Sequence, residues 1–352
     1  MPQKAVLNKR SRSSETSFEP KFSFADLFAG IGGMRFAYES VGGECLLTSE
    51  IDSMARRTYE MQPWRIHSPR HVEVHDVVEL GAMRPTQIPS FDVLLAGFPC
   101  QPYSIAGLRQ GLHDEKGRGQ VFLSILEILR KKKPKAFMLE NVKGMLSHDG
   151  GRTISYMVDQ LRTLGGAKTV YNVITPQVLN SMTHGGVPQN RERVFIVGFL
   201  NEIDSGGFCW PNEVPLKKTL RQVLEATKVP EKYFYSKEKY DCFDEIERHV
   251  TSPDTAYQWR RVYVRENKSG VCPALTANMG SGGHNVPLVL HSDGRIRKLT
   301  PRECMKLQGF DKFGFVLPSD MADAHLYHQF GNSVTVPLIQ SIAREVVKVI
   351  DV

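Results

Sequence analysis

An apolar segment, Phe-Ser-Phe-Ala-Asp-Leu-Phe at residues 22–28, runs into Ala29-Gly30-Ile31-Gly32-Gly33 and then into a helical pattern over 34–41. Strand, glycine turn and helix in that order open a βαβ crossover, which commits the chain to a mostly parallel sheet with helices packed against it. Glycines at that turn let a ligand approach the backbone beside the helix N-terminus. Gly30 and Gly32 fit the first two glycines of GxGxxG, but Arg35 occupies the third, which counts against a dehydrogenase.

The rhythm then repeats. A strand expected over 44–51 ends in Glu50, seventeen positions beyond Gly33, where a carboxylate can accept hydrogen bonds from ribose hydroxyls. A third apolar-alternating stretch, 71–78, carries Asp76 at its end, placed to accept from an exocyclic amine. Glycine turn, Glu50 and Asp76 at three successive strand ends point to a nucleoside-bearing cofactor rather than to solvated loop acids. The apolar run 91–96 reads as a strand buried on both faces and stops before Gly97-Phe98-Pro99-Cys100.

A cysteine at the carboxyl end of such a strand sits in the crevice where open α/β sheets bind ligands. Pro99 and Pro102 stiffen the backbone, Gln101, Tyr103 and Ser104 make the loop polar, and Gly97 and Gly107 let it bend. Cys100 is therefore a candidate nucleophile, provided a neighbouring group activates it. An amphipathic helix over 120–132 follows, and its cationic end, Arg130-Lys131-Lys132-Lys133, suits the helix macrodipole. A strand over 136–139 delivers Glu140 and Asn141 at its terminus, within reach of the same substrate. Helix 153–164, strand 171–179, the Gln189-Asn190-Arg191-Glu192-Arg193 run and strand 194–199 continue the alternation.

Beyond residue 200 the pattern becomes irregular, with Pro211, Pro215, Pro230 and Pro253 among short segments. Arg260, Arg261 and Arg265 interleaved with Trp259 and Tyr263, followed by Gly280, Gly282 and Gly283, suit a nucleic-acid groove. We expect a disordered basic arm over 1–20, a large α/β domain carrying the cofactor and nucleophile candidates over 21–200 plus 320–352, and a small irregular domain over 201–319.

The formal net charge of +7 over 352 residues favours a polyanionic partner without identifying it. Six cysteines without a CxxC pair argue against zinc sites and a disulfide framework. The start lacks the apolar core of a signal peptide, and no segment is apolar and long enough to span a membrane, so a cytoplasmic, reducing location is expected.

Seven segments in order, DLFAGIGG, LLTSEID, GFPCQPYS, ENVKG, QNRER, LTPRECMKLQGF and QFGNSV, resemble the DNA (cytosine-5) methyltransferases, most closely the compact bacterial enzymes of restriction-modification systems. The match covers nearly the whole chain from Phe22. The resemblance implies an α/β fold: a Rossmann-like S-adenosylmethionine-dependent sheet of seven strands with helices on both faces, closed by the C-terminal helix. It also implies a smaller, irregular, mainly-β domain that reads duplex DNA, and a monomer without metal.

Residue by residue, it implies Cys100 as the thiolate that adds to cytosine C6, Glu140 as the carboxyl that answers charge at N3, Arg193 at the cytosine O2, and Arg191 holding the pocket. Addition at C6 makes C5 enamine-like, splitting one hard step into two. The target base must first leave the stack. For the cofactor it implies Phe28, Gly30 and Gly32 near the methionine part, Glu50 at the ribose, Ile51, Asp76 and Val77 at the adenine, Pro99 beside the catalytic loop, and Asn332 and Val334 from the tail. Ser104, Arg260, Arg261, Gly280, Gly282 and Gly283 are the expected DNA contacts. Ile51 departs from the large aromatic common in the family, and His75 replaces the glycine usual before Asp76. A tRNA cytosine-5 methyltransferase of the same architecture is the alternative reading, and a DNA-binding relative without catalysis is a third.

Overall fold

The computed structural model describes residues 19–64, 68–99, 118–226, 229–280 and 286–350. Strands β1 (Phe22–Leu27), β2 (Gly43–Ser49), β3 (Val72–Glu73), β4 (Val93–Gly97), β5 (Ala136–Val142), β6 (Tyr171–Val173), β7 (Gln177–Asn180) and β9 (Glu192–Leu200) form one sheet. A short β8 (Gln189–Asn190) precedes β9. The order is β3-β2-β1-β4-β5-β9-β6, with β7 also pairing β9. β1 to β5 are parallel to one another, whereas β9 runs antiparallel to β5, β6 and β7.

Alternation along the central strands explains the layers. Phe22 and Phe24 of β1, Val93 and Leu95 of β4 and Ala136 and Met138 of β5 join one buried cluster, while Leu27, Leu94, Ala96, Phe137 and Leu139 join another. A strand buried on both faces needs helices on both sides. On the first face lie α1 (Gly33–Glu39) and the C-terminal helix Val336–Val349, in contact with each other. On the second, α3 (Val77–Ala82) packs on α4 (Arg118–Lys132), and α5 (Arg152–Thr163) follows β5; α2 (Ser53–Glu60) lies between β2 and β3. The cationic end of α4 does more than complement a dipole: Lys131 donates to the carbonyls of Gly81 and Met83, and Lys132 to that of Ile88 at 2.8 Å.

Four expectations are corrected. The 71–78 strand shrinks to Val72–Glu73, because Asp76 accepts from the Val78 N–H at 2.8 Å and turns the chain into α3. Glu140 and Asn141 lie within β5 rather than beyond it, since antiparallel pairing with β9 continues to Val142 opposite Arg193. The 171–179 strand is divided into β6 and β7, interrupted at 174–176, where Pro176 offers no ladder donor. The sheet has eight strands, one more than the seven the resemblance implied.

The short helix α6 (Ser181–His184) lies between β7 and β8, and after β9 come the short helices α7 (Leu220–Val223) and α8 (Phe243–His249). A second, four-stranded sheet follows, β11-β10-β13-β14, from β10 (Tyr257–Trp259), β11 (Val264–Glu266), β13 (Leu288–Leu290) and β14 (Ile296–Lys298). β12 (Cys272–Pro273) pairs β8 in parallel and so ties this region to the strand leading into β9. Helices α9 (Pro301–Leu307), α10 (Asp323–Asn332) and α11 (Val336–Val349) complete the chain. A buried amide ladder joins them to β8: Gln189 Nε2 donates to the Leu307 carbonyl at 2.9 Å, and Gln308 Nε2 to the Phe330 carbonyl at 2.6 Å.

Candidate active site

Between β1 and β4 the strand order reverses, and their carboxyl ends open the crevice in which doubly wound sheets bind ligands. The chain leaves β1 through three left-handed residues, Phe28 (φ 58), Gly30 (φ 55) and Gly32 (φ 85). Phe28, a non-glycine residue, is held there by its surroundings, so the turn is set before any ligand arrives. Glu50 supplies part of that hold: its carboxylate accepts from the Gly30 N–H and from the Asp52 N–H, both at 2.8 Å. The glycines serve different purposes. A Cβ on Gly30 would meet nothing within 4 Å, whereas one on Gly32 would come within 2.2 Å of the Trp64 ring.

Trp64 in turn rests on Arg35, the residue that breaks the dinucleotide fingerprint. The Arg35 guanidinium lies 4.2 Å from the Trp64 ring centroid, pairs with Glu39 at 2.6 Å and donates to the Tyr59 hydroxyl at 2.9 Å. It is 4% exposed, so it supports the turn from within. Asp26, also buried here, has no hydrogen-bond partner for either carboxylate oxygen among the described residues. Burial pushes its pKa up to about 7, against the pull of Arg35. Sequence reading missed this cluster; a charged helical residue directly after a glycine turn was its one signal.

A cavity of about 470 Å³ fills the crevice. Phe28, Gly30, Glu50 and Ile51 line one part; Pro99, Glu140, Arg191 and Arg193 line another; Asn332 and Val334 close it from the tail. Gly32 stands behind this wall, against Trp64. Asp76 and Val77 are not among the lining residues; Asp76 is occupied as the N-cap of α3.

Glu140 reaches the cavity because β4 and β5 are in register, Gly97 beside Glu140. A Cβ on Gly97 would lie 3.4 Å from Glu140 Oε2, so the glycine gives the carboxyl its space. Across the β5–β9 ladder Arg193 is diagonal to Glu140, within the span of a long side chain. Its Nε stands 3.0 Å from Glu140 Oε1. Burial raises the Glu140 pKa, and Arg193 and Arg191 oppose the rise.

Arg191 is 2% exposed and uses both terminal nitrogens on carbonyls: Leu275 at 2.7 Å, Gly331 at 3.0 Å and Ser333 at 2.6 Å. It thus pins the tail segment that carries Asn332 and Val334 to β8–β9 and to the chain after β12. Asn141, to which the sequence assigned no task, donates to the Phe98 carbonyl at 3.0 Å and fixes the backbone two residues before Cys100.

Cys100, Ser104, Gly282 and Gly283 lie outside the described residues. Arg260 and Arg261 are exposed on the turn joining β10 to β11. Gly280 has φ 84, and a Cβ there would come within 2.6 Å of the Tyr327 ring, so packing inside the chain already requires this glycine. Among the described residues no group of three or more His, Cys, Asp or Glu side chains could hold a metal ion, and no helix is long and apolar enough to cross a membrane.

Sheet order and crevice define a Rossmann-like α/β fold. The chain belongs to the C-5 cytosine-specific DNA methylase family, whose family model matches residues 22–348. It is similar to the Type II methyltransferase M.Bsp6I of Bacillus sp. (strain RFL6), 44% identical over 329 residues that cover 92% of this chain and 98% of that protein. Type II methyltransferase M.HpaII of Haemophilus parainfluenzae is 36% identical over 95% of this chain and 92% of its own. Among solved structures, the Dnmt2 methyltransferase of S. pombe superposes with a TM-score of 0.68 at 19% identity, covering 94% of this chain and all of that one, a likeness of fold. The protein is a cytosine-5 DNA methyltransferase.

Proposed function

We propose that the protein methylates C5 of a cytosine swung out of a short, specific sequence in duplex DNA, through a covalent bond from Cys100 to C6, and protects host DNA from a cognate restriction endonuclease. One observation carries the reading: Glu140, its pKa raised by burial, stands 3.0 Å from Arg193 on the same cavity as the glycine turn held by Glu50. In this reading residues 21–200 with 320–352 do the chemistry, 201–319 recognise the target, and the enzyme works as a monomer in the bacterial cytoplasm.

The cavity suits S-adenosylmethionine: Gly30 opens onto it without obstruction, and Glu50 presents a carboxylate at its edge. Phe28, Gly30, Glu50, Ile51, Pro99, Asn332 and Val334 would hold that cofactor, with Gly32, Asp76 and Val77 shaping the surrounding turns. When bound it supplies an electrophilic methyl group for C5. The Cys100 thiolate forms the bond to C6, electron density moves towards N3, and a protonated Glu140 hydrogen-bonds or transfers its proton there. Arg193 donates to the cytosine O2 while Arg191 keeps the tail and strand together. Once C5 carries the methyl group, water takes the C5 proton, the C5–C6 double bond re-forms, Cys100 leaves as thiolate and N3 returns its proton to Glu140.

Incubation with labelled S-adenosylmethionine and mixed duplex DNA should place label in 5-methylcytosine, with tRNA unlabelled in parallel; label in tRNA alone would turn the assignment to the RNA enzyme. Cys100→Ser should abolish transfer, and full activity in that variant would remove Cys100 as nucleophile. DNA from a host expressing the protein should resist an endonuclease that cuts at the methylated sequence.

A further inference from the structure

A cleft of about 260 Å³ lies between the β10–β11 hairpin and β8, bounded by Asn190, Gln258, Arg260, Arg265 and Thr276, with no carboxylate in its lining. Asn190 is followed directly by Arg191, which lines the catalytic cavity, so consecutive residues line the cleft and the cavity.

The hairpin assigns its faces by register. Gln258 stands opposite Arg265, and cross-strand partners project to the same side. The other side, Tyr257 with Trp259 and Val264, packs into a small apolar core. Around the cleft Asn267 is already engaged with the Val271 carbonyl and Ser269, and Thr276 with Asn278. Gln258 is only 9% exposed, yet its amide has no partner among the described residues; the guanidiniums of Arg260 and Arg265 are likewise unpaired there. An unengaged carboxamide and two unengaged guanidiniums on one cleft leave donors and an acceptor free for a polar ligand.

We propose that Gln258 and Arg265 are specificity-determining residues that read base edges beside the target cytosine, Arg265 facing a guanine and Gln258 the adjoining base. This rests on the reading of the chain as a duplex-DNA enzyme. A guanidinium fork matches guanine O6 and N7, and a carboxamide both donates and accepts, so the two groups together discriminate where a phosphate contact would not. Arg260, at the mouth of the cleft, supplies charge complementarity to the backbone.

Sequencing 5-methylcytosine in a randomised duplex library treated with the unmodified protein, Arg265→Ala, Arg265→Lys and Gln258→Ala tests the assignment. Arg265→Ala should lose discrimination at one base position by on the order of tenfold or more, Arg265→Lys should not restore it, and Gln258→Ala should relax the neighbouring position. If the variants keep the site preference and bind all sequences more weakly, with a salt slope lower by about one per arginine, the contacts are to phosphates and the proposal is overturned. Arg265 is exposed, so its variants decide the matter even if Gln258→Ala melts early. Failure of the unmodified protein to methylate any duplex would instead sink the parent reading and this one with it.

Discussion

Glu140 and Asp26 are both buried carboxyls whose pKa is raised, yet they stand in different relations to the site. Glu140 opens on the cavity, and its acid form is the one the proposed chemistry uses. The transfer rate should therefore fall as pH rises through that raised pKa. Glu140→Gln should lower the rate by about 10²- to 10⁴-fold and lose the alkaline limb; an unchanged limb, measured as rate against pH, would assign it to another group. Asp26 is not among the residues that line the cavity. Its pKa of about 7, against 3.8 for an ordinary aspartate, means that the folded state holds the proton longer than the unfolded chain. The stability contributed by its acid form is full below about 4 and is lost as pH rises to about 7. Asp26→Asn should be more stable than the parent at pH 8, by at most about 4 kcal/mol, and should flatten the melting temperature across that window.

At the scale of elements, α11 and α1 close one face of the sheet beside the crevice. Val336, Ile339, Ile342 and Val346 of α11 are fully buried, on the inward stripe of an amphipathic helix that starts with Pro337 in its first turn. Ile342→Ala should cost about 2–5 kcal/mol in urea denaturation, with the slope unchanged. Because α11 begins two residues after Val334, its loosening should also weaken cofactor binding, measurable by titration. Gly331, at the end of α10, is a stricter joint. A Cβ there would lie 2.2 Å from the Thr276 backbone, so the tail and the chain after β12 meet at bare backbone. The resemblance implied a closing C-terminal helix, but the QFGNSV stretch alone carried no sign of what its glycine would touch.

In the whole molecule, the second sheet is attached by buried polar contacts. Arg297 of β14 and Glu303 of α9, 1% and 0% exposed, pair at 2.7 Å, and Glu303 also accepts from the N–H groups of Glu225 and Thr300. Glu303→Gln should destabilise by about 3–5 kcal/mol because it leaves a buried guanidinium uncompensated, whereas the double variant Arg297→Met with Glu303→Leu should recover much of that loss. Thermal melts of the three forms check it: equal loss in single and double variants would mean that packing, not charge, holds the joint. With a net charge of +7, DNA affinity should fall linearly on a log–log plot against salt.

The sequence by itself determined the parallel half of the sheet, the glycine turn and the order of the motif segments, since these rest on local apolar runs and on backbone freedom at particular glycines. It also named Glu140, Arg191 and Arg193, which the fold brings to one cavity. It could not determine that Glu140 lies inside β5, because that depends on an antiparallel partner more than fifty residues later. The helix that Asp76 starts turned on one side-chain hydrogen bond competing with an apolar alternation. Arg35 under the turn, Asn141 on the Phe98 carbonyl, and the unpaired Gln258 and Arg265 beside Asn190 were settled only by tertiary structure. Each is defined by what stands opposite it, and the partners come from segments brought together only when the sheet and its neighbouring hairpin close around the crevice.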